Sequence, residues 1–363
     1  MSEYKNPNLI VQSNQTKSDS VSWRSPSNIA IVKYWGKHGV QLPLNPSISF
    51  TLQAAHTNMV IDYSAKKETN HNVSLDFFFE KQQNEAFKTK IQQFLESLVD
   101  IFPFLRQLQL TIHSNNSFPH SAGIASSASA MSALALCLCE MERQLFSNLK
   151  EETIFLQKAS YISRLGSGSA CRSVYPKMAV WGKNTSMENA SDLYAVPFNT
   201  ELHDVFKNYQ DTILLVSRDE KEVSSRAGHG LMEGNIFANS RYGQARQNFR
   251  MVIEALKTGD VALFGQIAEQ EALTLHALMM TSNPPYILMK PNSLLLIEKV
   301  RAYRQETKIP LYFTLDAGPN LHLLYPESNK VAVMRFIQSE LVAHCEDGQI
   351  IEDRVGEGAV KMG

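Results

Sequence analysis

The sequence predicts an α+β protein built of two units, and three observations carry that expectation. Strand-like and helix-like segments do not alternate regularly along the 363 residues, which argues against a doubly wound parallel sheet. The first half is rich in short apolar runs of strand character, whereas long helical periodicities dominate the second. Within the first half, a loop of small residues runs straight into a strongly apolar helix, in PHSAGIASSASAMSALALCLC (119–139).

The elements follow in order. Residues 28–35, NIAIVKYW, read as a buried strand, and residues 47–55 as a second one after the turn-forming LPLNP at 42–46. Alternation along the first strand puts Asn28, Ala30, Val32 and Tyr34 on one face and Ile29, Ile31, Lys33 and Trp35 on the other. Further strands are expected at 58–64, 73–79 and 109–113. Between them, residues 84–99 carry helical spacing with Phe87, Ile91, Phe94, Leu95 and Leu98 on one face. Helices are expected over 128–140 and 150–165, the latter stopping at Gly166, and strands over 173–181 and 213–217. The remainder reads as helices at 232–257, 261–279, 293–306 and 328–345, with two short strands, 311–315 and 321–325, joined by DAGPN. The polar stretch 184–204 places a domain junction near residue 200, giving units 23–200 and 201–363. Residues 1–22, polar and rich in Asn and Ser, are expected to be a flexible tail, neither a secretory signal nor an anchor.

Composition narrows the function. A formal net charge of −1 at pH 7 argues against a nucleic-acid or membrane-surface protein, so any anionic ligand must meet a local cluster of cations. A hydrophobic content of 44% is ordinary for a globular chain. Residues 122–139 are apolar enough to suggest a membrane span, but Ser126, Ser127, Ser129 and Ser132 crowd its start, which favours a loop and a core helix. Cys137, Cys139, Cys171 and Cys345 show neither a CxxC pair nor metal-ligand spacing, as expected of reduced thiols in the cytosol.

Four segments suggest chemistry. Around Gly123, the serines Ser121, Ser126 and Ser127 let backbone N–H groups approach an anion, and the helix that follows points its positive end there. The same residues would equally serve as a serine cap on a buried helix. RLGSGSACRS (164–173) offers amides, hydroxyls and a guanidinium suited to a carboxylate or phosphate, against the plainer reading of a glycine cap and surface loop. Asp316 in TLDAGPN is either a turn-former or a base held at a cleft by the Gly318-Pro319 turn. On the first strand Asn28 and Tyr34, with Lys37 just beyond, put polar groups where burial costs about 1–3 kcal/mol each unless a partner satisfies them. KEVSSR (221–226) alone reads as a solvated turn.

Together these segments resemble the diphosphomevalonate decarboxylases of the GHMP kinase superfamily. NIAIVKYWGK (28–37), LPLNPSISFTL (42–52), NSFPHSAGIASSASA (116–130), RLGSGSACRS (164–173), VSSRAG (223–228) and TLDAGPN (314–320) stand in that family's order, over nearly the whole chain. The resemblance implies a GHMP kinase fold: an N-terminal domain like domain 2 of ribosomal protein S5, a ferredoxin-like C-terminal domain and an active site in the cleft between them. It implies ATP-dependent decarboxylation of mevalonate 5-diphosphate to isopentenyl diphosphate by a cytoplasmic homodimer that uses ATP and Mg2+.

Residue by residue, the resemblance gives Asp316 to the C3 hydroxyl, Arg172 to the substrate carboxylate and Asn28 to the same carboxylate as Arg172's companion. It gives Tyr34, Lys37, Ser167, Ser169, Ser225 and Arg226 to the substrate, chiefly its diphosphate and carboxylate. Gly123, Ala125, Ser126, Ser127 and Ser129 go to the ATP phosphates, with Ser127 also touching the metal. Where the family has a Gly-Gly pair after the arginine, this chain reads SVYPKMAVWG. Two rivals stand beside this reading. One is a GHMP enzyme that acts only as a kinase, or that decarboxylates mevalonate 5-phosphate; the other is a non-catalytic GHMP-fold binding protein.

Overall fold

The computed structural model describes residues 4–12, 18–67, 71–119, 124, 126–198, 201–218 and 225–363, the side chains of Ser225 and Arg226 excepted. In chain order the first half runs β1 (Asp19–Val32), β2 (Lys37–His38), β3 (Leu42–Pro43), β4 (Ser47–Ala65), β5 (Ser74–Phe79), β6 (Gln82–Gln83), α1 (Glu85–Ser97), β7 (Leu108–Asn116), α2 (Ser126–Phe146), α3 (Glu152–Gly166), β8 (Met178–Trp181) and β9 (Val196–Pro197). The second runs β10 (Gln210–Leu214), α4 (Ser225–Gly230), α5 (Ala238–Thr258), α6 (Val261–Met280), α7 (Pro291–Thr307), β11 (Tyr312–Thr314), β12 (Leu321–Tyr325), α8 (Lys330–Phe336), β13 (Ile350–Arg354) and β14 (Val360–Lys361). The architecture is α+β, as expected.

An eight-stranded sheet runs β14-β1-β4-β7-β5-β6, with β8 on the first part of β4 and β9 outside it. Among the described residues, β5 and β7 are the strands of this sheet that pair in parallel. One face of this sheet packs Trp23, Ile61, Phe77 and Ile112 against Leu134, Leu138 and Phe155 of α2 and α3. The other end is covered by the second half: Ile29, Val32, Ile48 and Phe50 share a cluster with Phe249 and Val252 of α5 and Phe264 and Ile267 of α6. A four-stranded antiparallel sheet, β11-β12-β10-β13, completes the second half. Local signals set many boundaries: Asn84 caps α1 by accepting from Phe87 N–H at 2.9 Å, and Gly259 ends α5 at φ +80°.

Several expectations change. The strand expected at 28–35 is Asp19–Val32, and the two strands expected at 47–55 and 58–64 are one, β4. The register between β1 and β4 shifts at Pro26/Asn28 and again at Ala30/Val32, so strict alternation fails and Ile29, Ile31 and Val32 share one core. The helix expected at 328–345 leaves α-helical geometry after Phe336. Residues 1–22 are not simply a tail: Leu9 and Val11 are buried, Val11 exchanges hydrogen bonds with the Gln107 amide at 2.8 and 3.0 Å, and β1 begins at Asp19. Nor does the chain after residue 201 stay in one unit, because Lys361 and Val360 pair with Trp23 and Arg24 of the first sheet. The described cysteines are free and buried. Among the described residues no helix is long and apolar enough to cross a membrane.

Candidate active site

The site forms where β1 ends. Asn28 is buried at a register shift, and its amide nitrogen donates to Ser173 Oγ at 2.7 Å and to the Ser169 carbonyl at 3.2 Å. Its Oδ1 is buried with no partner. The open atom is therefore an acceptor.

Arg172 closes the short 3-10 turn Gly168–Arg172 and is 1% exposed. Its Nε donates to Ser49 Oγ at 2.8 Å, its guanidinium lies 5.8 Å from the Trp181 ring centroid, and Nη1 has no partner. Burial lowers its pKa, and the charge of Asp316 partly restores it, so the two groups lie within electrostatic reach. Tyr34 packs its ring against Trp181, centroids 4.6 Å apart, with its hydroxyl buried and unpartnered. Burial pushes that hydroxyl far above the ordinary phenol range. A Cβ on Gly168 would sit 2.9 Å from Tyr34 Cε1 and 3.0 Å from Trp181 Cη2, which gives this glycine of GSGSACR a packing reason.

Asp316 follows β11 in a pinned turn. Its carbonyl accepts from Gly318 N–H at 2.8 Å, Ser293 Oγ donates to the Pro319 carbonyl at 2.7 Å, and Asn320 Oδ1 accepts from Val216 and Ser217 N–H. The carboxylate, 26% exposed, takes a hydrogen bond at 2.8 Å from the ammonium of Lys33, which is 2% exposed. Lys33 is the main residue that sequence reading missed. Its signal was a lone charge in the apolar run NIAIVKYW.

The other residues that the resemblance gives to the substrate lie on neighbouring segments. Lys37 lies on β2, its ammonium bonded to Gln41 Oε1 at 3.1 Å, in a hairpin whose Val40 and Gln41 carbonyls are held by buried Arg164. α4 docks on the same segment: Gly36 N–H donates to His229 Nδ1 at 3.0 Å, and the His229 ring lies between those of Tyr34 and Trp35, at 4.4 and 4.5 Å. Burial, reinforced by Lys37, lowers the His229 pKa to about 3, which keeps the ring neutral and Nδ1 an acceptor. Ser225 and Arg226 begin this same helix α4; their side chains lie outside the described residues.

Ser127 is exposed at the start of α2 and its hydroxyl is 3.3 Å from that of Ser167, while Ser126 and Ser169 are half-buried. Gly123 and Ala125 lie outside the described residues. Ser129 is fully buried, its hydroxyl 2.7 Å from Thr57 Oγ1 and donating to the Ser126 carbonyl at 3.2 Å, so its side chain is engaged within the protein. Among the described residues no group of three or more His, Cys, Asp or Glu side chains is placed to hold a metal ion.

The two-part α+β architecture, with a buried arginine and a lysine-paired aspartate, fits the GHMP kinase superfamily of small-molecule enzymes that the motifs resemble. Comparison with known proteins narrows this. Residues 25–195 match the diphosphomevalonate decarboxylase-like N-terminal domain and residues 212–359 match the mevalonate 5-diphosphate decarboxylase C-terminal domain. The diphosphomevalonate decarboxylase of Debaryomyces hansenii is 30% identical over 331 residues, covering 86% of this chain and 81% of that protein. A structure described as MDDEF in complex with MVAPP, AMPPCP and magnesium superposes with a TM-score of 0.80 at 29% identity, covering 95% of this chain and 99% of that one. The mevalonate diphosphate decarboxylase from Enterococcus faecalis, studied for mevalonate diphosphate-mediated ATP binding, gives 0.79 at 28% identity, with 95% and 99% coverage. The chain belongs to the diphosphomevalonate decarboxylase family.

Proposed function

We propose that this chain catalyses the ATP-dependent decarboxylation of mevalonate 5-diphosphate to isopentenyl diphosphate, ADP, phosphate and CO2, in the mevalonate route to isoprenoids. The observation that carries the reading is the Lys33–Asp316 pair at 2.8 Å within electrostatic reach of a buried arginine that keeps one donor, Nη1, unfilled. Asp316 orients the C3 hydroxyl and takes its proton as the oxygen bonds to the γ-phosphorus of ATP and ADP leaves. The C3–O bond then breaks with its electron pair going to phosphate. The electrons of the C–C bond to the carboxylate become the new double bond as CO2 departs. Arg172 holds that carboxylate through Nη1, with Asn28 as its companion.

Tyr34, Lys37, Ser167, Ser169, Ser225 and Arg226 serve the diphosphate and carboxylate ends of the substrate. Gly123, Ala125, Ser126, Ser127 and the backbone of Ser129 serve the ATP phosphates. Magnesium neutralises phosphate charge when bound, and the exposed Ser127 hydroxyl at the start of the 21-residue helix α2 fits a protein contact to a phosphate-held ion. The chain acts as a cytoplasmic homodimer, and its two units divide near residue 200, in the stretch between the two matched family domains.

The test is direct. Purified protein with ATP, Mg2+ and mevalonate 5-diphosphate is expected to release ADP and CO2 in equal amounts, and mevalonate 5-phosphate is expected to be turned over poorly. ADP without CO2 would overturn decarboxylation in favour of a kinase; neither product would leave a binding protein.

A further inference from the structure

The residues that hold Lys33 and Asp316 together lie outside the cleft, on one helix. β1 stops at Val32, so the Lys33 backbone N–H leaves the sheet, and it donates to Glu271 Oε2 at 2.8 Å. The Asp316 carbonyl accepts from His276 Nε2 at 3.1 Å; a carbonyl only accepts, so Nε2 carries the proton. Both side chains belong to α6, five residues apart, a rise of about 7.5 Å along the axis. Glu271 is fully buried and His276 is 1% exposed.

α6 is itself seated firmly. It packs against both β1 and β11, and a Cβ on its Gly265 would overlap the Tyr312 ring at 2.1 Å. Glu271 is fixed by Arg241, which donates to both of its oxygens, and by Asn248 Nδ2 at 2.7 Å, both from α5. Helix α6 thus holds one backbone atom of each member of a pair that stands 283 residues apart in sequence.

We propose that Glu271 and His276 are positioning residues: α6 sets the alignment of Lys33 with Asp316, and the reaction rate depends on that reach. This inference rests on the decarboxylase reading above. A plain core role for the two residues would demand only that Lys33 N–H and the Asp316 carbonyl be satisfied, and any polar partner would do. A positioning role demands a partner of the right length, because about 1 Å of displacement at reacting groups costs up to about 10²-fold in rate.

The experiment compares side chains that differ in reach. His276→Gln keeps an N–H near the Nε2 position, His276→Asn carries the same amide one bond short, and His276→Met has no donor. Glu271→Asp keeps the charge that Arg241 needs but is shorter by one methylene. Expected are kcat values within a few-fold of the parent for His276→Gln, and about 10- to 100-fold lower for His276→Asn, His276→Met and Glu271→Asp, with KM for ATP nearly unchanged. In a Lys33→Met background, His276→Met is expected to add little further loss, because it acts through the pair. Parental kcat in folded His276→Asn and Glu271→Asp would overturn the inference, as would full additivity with Lys33→Met. Should His276→Met fail to fold, the Asn and Gln pair still decides. Absence of turnover in the parent protein would instead overturn the decarboxylase reading.

Discussion

Two regions of this molecule bury polar groups equally deeply and use them differently. In the cleft, Arg172, Asn28 and Tyr34 each keep one buried atom without a partner. Where the two sheets meet, Asp353 accepts four backbone N–H bonds, from Gln53, Ala54, Ala55 and Arg354, at 2.7–2.8 Å. Its cross-strand neighbour Asp211 is fully buried with both oxygens on His322 Nδ1, at 3.0 and 2.8 Å. Burial of charge therefore does not mark the site, nor does one orphaned atom, since Trp23 Nε1, Tyr209 Oη and Thr314 Oγ1 are also buried without a partner. The cleft differs from Asp353 and Asp211 in keeping Arg172, Asn28 and Tyr34 each with unfilled capacity. A satisfied group stabilises the fold, whereas an orphaned one carries a desolvation cost of about 1–3 kcal/mol that a ligand can recover.

Substitutions in the two regions are expected to separate activity from stability. The largest effect belongs to Asp316→Asn, which keeps volume but removes the base. Turnover is expected to fall about 10²- to 10⁴-fold while ATP binding persists. Steady-state kinetics beside nucleotide titration check this, and near-normal turnover would remove Asp316 from its role. Arg172→Lys comes next: the ammonium keeps charge but loses the fork that reaches both Ser49 and the ligand. A lost charged hydrogen bond is worth about 1.5–3 kcal/mol, so kcat/KM for the diphosphate substrate is expected to fall about 10- to 100-fold.

How much of this was legible beforehand follows from where the information lies. Asp316 and Arg172 could be read because TLDAGPN and GSGSACR are turns, and turn chemistry is local. Lys33 could not. Period-two alternation grouped it with Ile29 and Ile31, two register shifts undo that alternation, and its partner is 283 residues away. Glu271 and His276 sit in AEQEALTLHALMM as ordinary helix residues, and their jobs exist only once two distant backbone atoms reach α6. The side-chain partners of the serines on α2 were not legible because a run of small residues gives no helical phase; the fold turns Ser129 toward Thr57 and Ser132 toward Ser25. At the start of the chain composition misled, since two apolar residues, Leu9 and Val11, suffice to dock a polar segment.

A smaller effect tests the junction. Burial, opposed by its backbone donors and aided by Asp211, raises the Asp353 pKa to about 6. A carboxyl group whose pKa is raised on folding stabilises fully below its unfolded value, near 3.9, and loses that contribution as pH rises through 6. Asp353→Asn, which has one acceptor oxygen for four donors, is expected to destabilise most near pH 4. The penalty should shrink toward pH 7 by at most about 3 kcal/mol, while kcat stays close to the parent value. Denaturant unfolding of both proteins from pH 4 to 7 measures this. A pH-independent difference would mean that the four N–H donors hold the carboxylate ionised throughout.

The smallest effects sharpen the contrast most, because one chemical change is made in both regions. Tyr34→Phe removes a buried hydroxyl that has no partner, whereas Tyr325→Phe removes one that sits 2.7 Å from Thr212 Oγ1. Deleting an unsatisfied group leaves the free protein as stable or slightly more so, and deleting a satisfied one loses about 0.5–1.5 kcal/mol. Tyr34→Phe is therefore expected to keep or raise the melting temperature while raising KM for the diphosphate substrate, by at most about ten-fold. Tyr325→Phe should lower the melting temperature and leave KM unchanged. If both variants lost stability alike, the Tyr34 hydroxyl would have a partner in the free protein, and its contrast with the satisfied Tyr325 hydroxyl would fail.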